Sequence, residues 1–288
     1  MRVLLVWLML AGAAFSEPLP QISLEAPQAR LAREACRSVP PKWQAWRRDL
    51  TLRRTFVDAF DGFEAGKVWT PHYDHNGYDD WRARTLEGNN ERQIYVDPGF
   101  RGAGLDPFEA DGGVLSIIAR KQGFAGFDYT SGVITSRASH LQRYGYFEIR
   151  AKVPEGRGLW PAFWMLQPGK WPPEIDVFEV LGDRPDLVHM HVHWERRGQH
   201  MDVGCKLALP GASKRYVTYG VLWTPQMLVR YIDRVPVAMT RTPEGLDAPM
   251  YMIANLAVGG DWPGAPDETT RFPARLQIDW IAAYEVMP

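Results

Sequence analysis

The sequence predicts an all-β protein, a sandwich or barrel of short strands folded as one large domain. Three observations predict it. Gly (26) and Pro (23) make up about 9% and 8% of the 288 residues, against averages of about 7% and 5%. Short segments with polar–apolar alternation are spread over about 230 residues and bounded by turn residues. No sustained helical period and no repeat of 20–50 residues is visible. A chain of this length buries enough surface to hold a core without metals or staples. A composition 45% hydrophobic and 23% charged excludes a disordered chain.

The elements follow in order. Met1-Arg2 precedes the uncharged run Val3–Phe15, too short to span a bilayer, where about 20 residues are needed. Small residues then lead into Glu17-Pro18. The pattern is that of a secretory signal peptide, with cleavage after Ala13 or Ser16. Residues 1–16 are therefore expected to leave, giving a secreted or periplasmic chain with no membrane contact.

Residues 17–54 carry eight Lys/Arg against four Asp/Glu and read as an N-terminal extension. A short helix over Leu24–Cys36 is expected, and Pro40-Pro41 must end it. From residue 55 to 288 the pattern is strand-like. Segments are expected at 114–119, 146–153, 187–194, 216–223, 228–232, 250–257 and 276–286. In 146–153, Phe147, Ile149, Ala151 and Val153 share one face, and Tyr146, Glu148, Arg150 and Lys152 the other.

The informative segment is Glu174-Ile-Asp176-Val-Phe-Glu179. On a strand Glu174 and Asp176 point the same way, while Glu179, five residues on, points away. One β-bulge near Val177-Phe178 returns Glu179 to the Glu174 face. Like charges this close are costly on a structural strand. Two carboxyls about 5–5.5 Å apart are what a retaining glycosidase requires, and Asp176 between them would couple to both titrations. By itself such a triplet also suits a solvated face or a cation site.

Upstream, Gly158–Leu166 puts Trp160, Ala162 and Trp164 on one face and Leu159, Phe163 and Met165 on the other. Both faces are apolar, so the strand is either buried twice over or presents indoles to a ligand. Sugar rings offer apolar C–H faces to such indoles. Downstream, His189, His191 and His193 alternate along a strand, a pattern that can chelate zinc. A metal-dependent protein using these three is one alternative reading, and a non-catalytic carbohydrate-binding sandwich is another.

Several runs together resemble glycoside hydrolase family 16. They are Ser131–Arg137, Tyr144–Pro154, Gly158–Leu166, Glu174–Glu179, Asn255–Gly264 and Ile278–Tyr284, with Asn89–Tyr95 similar to the family's Asn/Glu/Gln segment. They span residues 55 to 288 in the family's order. The resemblance implies a jelly-roll sandwich of two antiparallel sheets with a substrate cleft on the concave one. It implies a retaining endo-β-glycanase with Glu174 as nucleophile, Asp176 as assisting carboxylate and Glu179 as acid/base, and no catalytic cofactor. The spacing is that of the bulged branch, which includes laminarinase-type enzymes. Trp160, Trp164, Trp171, Asn90, Asn255 and Trp262 become cleft candidates, joined by Trp81. His193 is expected beside Glu179 and the leaving-group sugar. A structural calcium at Asp279 is implied for some members. Two departures stand out: Asp58-Ala59-Phe60 replaces Asp-Glu-Phe, and Ser131-Gly132-Val133 replaces Ser-Gly-Arg. The implied substrate is a β-1,3 or mixed-linkage glucan. Residues 81–98 are closer to bacterial members associated with exopolysaccharide, and transglycosylation uses the same covalent intermediate.

The net charge of −1 carries no polyanion signature, so nucleic acid is not expected as a partner. A polysaccharide substrate and a monomer are expected. Cys36 and Cys205 are the two cysteines, and in an exported chain they can pair.

Overall fold

The computed structural model describes residues 19–22 and 50–288. The expected leader, the helix over 24–36 and Cys36 lie outside the described residues. In chain order the strands are β1 (Leu52–Asp58), β2 (Gln93–Tyr95), β3 (Phe108–Asp111), β4 (Val114–Ala119), β5 (Tyr129–Ser131), β6 (Val133–Thr135), β7 (Gly145–Lys152) and β8 (Leu159–Leu166). They continue as β9 (Glu174–Val180), β10 (Leu187–Arg196), β11 (Gln199–Ala208), β12 (Val217–Trp223), β13 (Met227–Ile232), β14 (Val235–Arg241), β15 (Tyr251–Val258) and β16 (Ala274–Val286). Among the described residues, helix is confined to four short 3-10 turns, and no helix is long and apolar enough to cross a membrane.

The fold is a jelly-roll sandwich of two antiparallel sheets. One has the order β14-β13-β12-β7-β16-β4-β3, with β1 also paired to β16. The other has the order β11-β10-β9-β8-β15-β6. Strand β16, 13 residues long, is the spine of the first sheet, because β4 pairs its first half and β1 its second. Between the sheets lies the main core. Phe147, Ile149 and Ala151 of β7 meet Phe163 and Met165 of β8 and Ile175, Val177 and Phe178 of β9 there, all nearly without exposure. The alternation that the sequence shows in 146–153 thus marks the inward face.

The outward face of the eight-stranded sheet is apolar as well. Tyr146, Leu222, Tyr231, Trp280 and Tyr284 form a second buried cluster with Ile22 and Leu52. Inside it the buried Glu148 carboxylate accepts from Arg234 through both oxygens (3.0 and 3.1 Å) and from the Tyr146 and Tyr284 hydroxyls. Nearby, the Asp279 carboxylate is ion-paired with Arg150. The oxygen that the sequence reading offered to a calcium therefore already has a cationic partner.

Several features were not foreseen in the sequence. Strand β1 begins at Leu52, ahead of the expected start at residue 55. Arg53 and Arg54 read as part of a charged extension, yet Leu52 is buried against Val286 and Arg53 pairs with Glu285 on the neighbouring strand. Strand β11 was not expected. Its apolar positions are interrupted by charge, and it is held by a ten-residue register with β10 rather than by its own pattern. Trp69 is buried, with its N–H donating to Asp58 Oδ2 at 2.7 Å. Cys205 is disulfide-bonded.

Candidate active site

The outer face of the six-stranded sheet carries a cavity of ≈ 820 Å³. Strand β9 crosses its floor and contains the bulge. Phe163 pairs with Phe178 but Trp164 pairs with Asp176, so Val177 is the extra residue. Val177 and Phe178 both point into the core, at 1% and 0% exposure. Two successive inward residues shift the alternation, which brings Glu179 back to the face of Glu174 and Asp176. All three carboxylates line the cavity.

Each has a distinct partner. Glu174 Oε2 accepts from Trp171 Nε1 at 2.8 Å. Glu179 Oε1 accepts from Trp160 Nε1 at 3.1 Å. Asp176 Oδ2 lies 3.2 Å from His193 Nε2, and Glu174 Oε1 lies 3.9 Å from the same nitrogen. The partners set the protonation. Burial, then the charge and hydrogen bond of Asp176, hold Glu174 well above the ordinary carboxylate range. Burial and the Asp176 charge do the same to Glu179. Burial also pushes Asp176 up, but the hydrogen bond and charge of His193 outweigh it and hold Asp176 below its usual value. Burial opposes the charge on His193, yet its hydrogen bond to Asp176 leaves His193 raised. Asp176 is thus the most acidic of three coupled carboxyls, and Glu174 and Glu179 hold their protons more tightly than free carboxyls do.

The histidine strand is registered differently from the sequence expectation. His189 pairs with Glu179 and His193 with Glu174. His193 therefore belongs to the Asp176 end of the site, not to Glu179. Antiparallel pairing makes the far ends of two strands meet, and the sequence does not say where the register starts. His189 stands edge-on to Trp262, with ring centres 4.8 Å apart, and burial lowers it to about 4. Ligand atoms of Asp176, His191 and His193 lie within 4.8 Å of one another and could hold a metal ion. His189 is outside that group. His193 is already engaged with Asp176.

The predicted sugar contacts separate into three kinds. Trp160, Trp171 and Trp262 line the cavity, and Trp171 and Trp262 are exposed on its rim. Trp160 meets Trp262 edge-on at 5.2 Å. Trp164 and Asn255 also line it but are largely buried. Trp164 Nε1 donates to Asn255 Oδ1 at 2.8 Å, and Asn255 Nδ2 to the Tyr95 hydroxyl at 2.9 Å. Trp81 and Asn90 are not in the cavity lining. Trp81 packs on Phe127. Asn90 takes a left-handed φ of 54° and donates to both oxygens of Asp261.

Asn89 and Glu91 occupy the cavity wall instead. Glu91 is buried and accepts from Gln93 Nε2 at 2.6 Å and Asn89 Nδ2 at 3.2 Å. Burial raises it to about 7. Its signal was present in the Asn-Asn-Glu-Arg-Gln run, where Glu91 and Gln93 share a face by alternation. The reading took the wrong member because the turn at Asn90 is not visible as a period.

An antiparallel jelly roll with three carboxylates on one sheet, two held by indole N–H donors and the third beside an imidazole, belongs to the class of glycan-cleaving sandwiches. The model for glycosyl hydrolases family 16 matches residues 104–282, and the chain belongs to that family. It is 38% identical over 251 residues to Endo-1,3-1,4-beta-glycanase EglC of Rhizobium meliloti (strain 1021), covering 82% of this chain and 52% of that protein. It is 33% identical over 245 residues to Beta-glucanase of Rhodothermus marinus, covering 75% and 84%. Among solved structures, the laminarinase catalytic domain from Thermotoga maritima MSB8 superposes with a TM-score of 0.71 at 30% identity, covering 82% of this chain and 99% of that one. The chain spans about half the length of EglC.

Proposed function

We propose that the protein is an exported, retaining endo-β-glycanase acting on polysaccharides with β-1,3 and β-1,4 linkages. The observation that carries the reading is the pair Glu174 and Glu179 on one face, each held by an indole N–H, with Asp176 between them beside His193. Glu179 keeps the proton that the leaving oxygen needs. Glu174 attacks the anomeric carbon as the glycosidic bond breaks, and an ester forms to Glu174. Water then gives a proton to Glu179 and its oxygen to the anomeric carbon, which releases Glu174.

Glu174 must be ionised to attack. Its hydrogen bond to Asp176 gives its proton a place to go as positive charge develops on the sugar. The indole N–H groups stabilise each glutamate while it is anionic. Similarity to an endo-1,3-1,4-beta-glycanase and to a beta-glucanase supports a glucan or related glycan. Export is supported by the charged start and apolar run of residues 1–16 and by the disulfide at Cys205, since such bonds persist in oxidising compartments. A monomer without nucleic-acid or membrane partners completes the proposal. A calcium at Asp279 is left out of it, because Arg150 engages that carboxylate.

Product analysis on laminarin, lichenan, agarose and an acidic exopolysaccharide tests the reading. Mid-chain cleavage of laminarin or lichenan is expected. No cleavage of any of the four, or activity lost to a chelator and restored by zinc, would overturn it.

A further inference from the structure

A charged side chain lies inside the sandwich beneath the carboxylates. Arg230 of β13 is 3% exposed. Its neighbours on the inward face, Leu228 and Ile232, and its cross-strand partner Val221 all belong to the apolar core. It reaches across the core, and Nη2 donates to the His191 carbonyl on β10 at 2.7 Å. Its Nε and Nη1 have no hydrogen-bond partner.

A buried cation costs several kcal/mol unless it is well paired. A hydrophobic residue of the same volume would serve the core better. The location suggests what offsets the cost. The β9–β10 ladder is regular at His189–Glu179 and at Val192–Ile175 but interrupted between them. Two residues of β10, Met190 and His191, there face three of β9, because Val177 is the extra one. The His191 carbonyl lies inside this interruption, and Arg230 supplies its donor. Burial lowers the guanidinium only to about 10, against an opposing pull from Asp176, so it is cationic at neutral pH.

We propose that Arg230 is a positioning residue that clamps the bulged strand pair from within and places a fixed positive charge below Asp176. The clamp holds Glu179 at its distance from Glu174, and the cation offsets part of the negative charge that the triplet carries when it reacts. The groups facing Asp176 are Glu174 and Glu179 on its own strand and His193 and His191 on β10, with Arg230 the cation on the core side; Asp202 and His200 of β11 face His193 instead. The inference rests on the reading of Glu174 and Glu179 as the reacting carboxylates.

The test compares the full chain with Arg230→Met and Arg230→Lys. It measures kcat, KM and pH profile on a glucan that the unsubstituted protein cleaves, the carboxyl titrations by 13C NMR, and thermal unfolding. Arg230→Met is expected to unfold at no lower temperature, to lose about 10–100-fold in kcat with KM nearly unchanged, and to move the low-pH limb and the lowest carboxyl titration upward. Arg230→Lys is expected to recover part of kcat and most of the limb. Unchanged kcat in Arg230→Met, or a kcat loss with unmoved carboxyl titrations, would overturn the inference. Should Arg230→Met not fold, Arg230→Lys decides alone, and full kcat there overturns the clamp. If no glucan is cleaved, the functional reading fails while the carboxyl titrations still decide the counter-charge.

Discussion

His193 Nε2 stands 3.2 Å from Asp176 Oδ2, and this contact holds down the carboxyl at the centre of the triplet. Asp176 is held below its usual value and His193 above its own. The pair is intact between those two limits. It is lost as pH falls through the depressed value of Asp176, and as pH rises through the raised value of His193.

Replacing His193 removes the hydrogen bond and charge that hold Asp176 down. His193→Gln should therefore move the low-pH limb of kcat/KM to higher pH. It should also lower kcat/KM by about 10-fold or more, the scale of a lost charge-assisted hydrogen bond of about 1.5–3 kcal/mol. The reciprocal variant Asp176→Asn should lower the titration of His193, seen directly in its imidazole 1H–15N spectrum. A His193 titration unmoved by Asp176→Asn would contradict the pairing.

Glu91 gives a second pH dependence, in stability rather than rate. Its folded value is raised from 4.5 to about 7 by burial. The native state then holds a proton that the unfolded chain has released, so stability falls as pH rises between these values and levels off above about 7. The shift corresponds to about 3 kcal/mol. Glu91→Gln should flatten that slope in urea titrations taken across the interval. A slope identical to that of the unsubstituted protein would show that Glu91 is ionised throughout.

The Glu148 site should behave as a purely structural ion pair. Arg234→Met leaves a fully buried carboxylate with only two tyrosine hydroxyls, at a cost of about 3 kcal/mol. It lies on the outward face of the other sheet, so kcat per folded molecule should not change. A drop in kcat at full folding would link the two faces of the sandwich.

Gly204 is the place where backbone space serves the cleft. A Cβ there would sit 2.3 Å from His191 Cδ2 and Nε2. Gly204→Ala must turn the imidazole out of its place between β11 and Trp262. We expect KM to rise several-fold with little loss of stability. An unchanged KM would mean that His191 does not meet the substrate.

The strands that position the carboxylates were legible because their periods are local. The alternation of 146–153, the doubly apolar 159–166 and the five-residue spacing of Glu174 and Glu179 each follow from side chains alternating along one strand. The bulge could be placed near Val177 because no unbulged strand puts those glutamates on one face. What stayed hidden depends on pairs of strands. The β9–β10 register moved His193 from Glu179 to Asp176. The left-handed turn at Asn90 exchanged it for Asn89 and Glu91. The hydrophobic face packed on Phe127 took Trp81 out of the cleft. Arg230 was invisible because an arginine in a strand reads as a solvated position unless the opposing sheet is known.

The tryptophans among the described residues sort by depth. Trp223 and Trp69 are buried packing, and Trp280 is largely buried in the outer cluster. Trp171 and Trp262 are exposed at 56% and 39% and line the cavity. Trp262→Ala should weaken substrate binding by about 1–2 kcal/mol, the scale of a lost aromatic contact. That loss should appear in KM more than in kcat, since Trp262 bonds none of the three carboxylates. A KM within twofold of the unsubstituted value would remove it from the substrate path.

A retaining enzyme forms a covalent bond from one of its carboxylates to the sugar. Incubation with a 2-deoxy-2-fluoro β-laminaribioside bearing a good leaving group, followed by peptide mass spectrometry, reads this directly. The predicted result is one fluoroglycosyl adduct on the peptide containing Glu174, absent in Glu174→Gln and still formed in Glu179→Gln. An adduct on Glu179, or turnover of the reagent with inversion at the anomeric carbon, would contradict it.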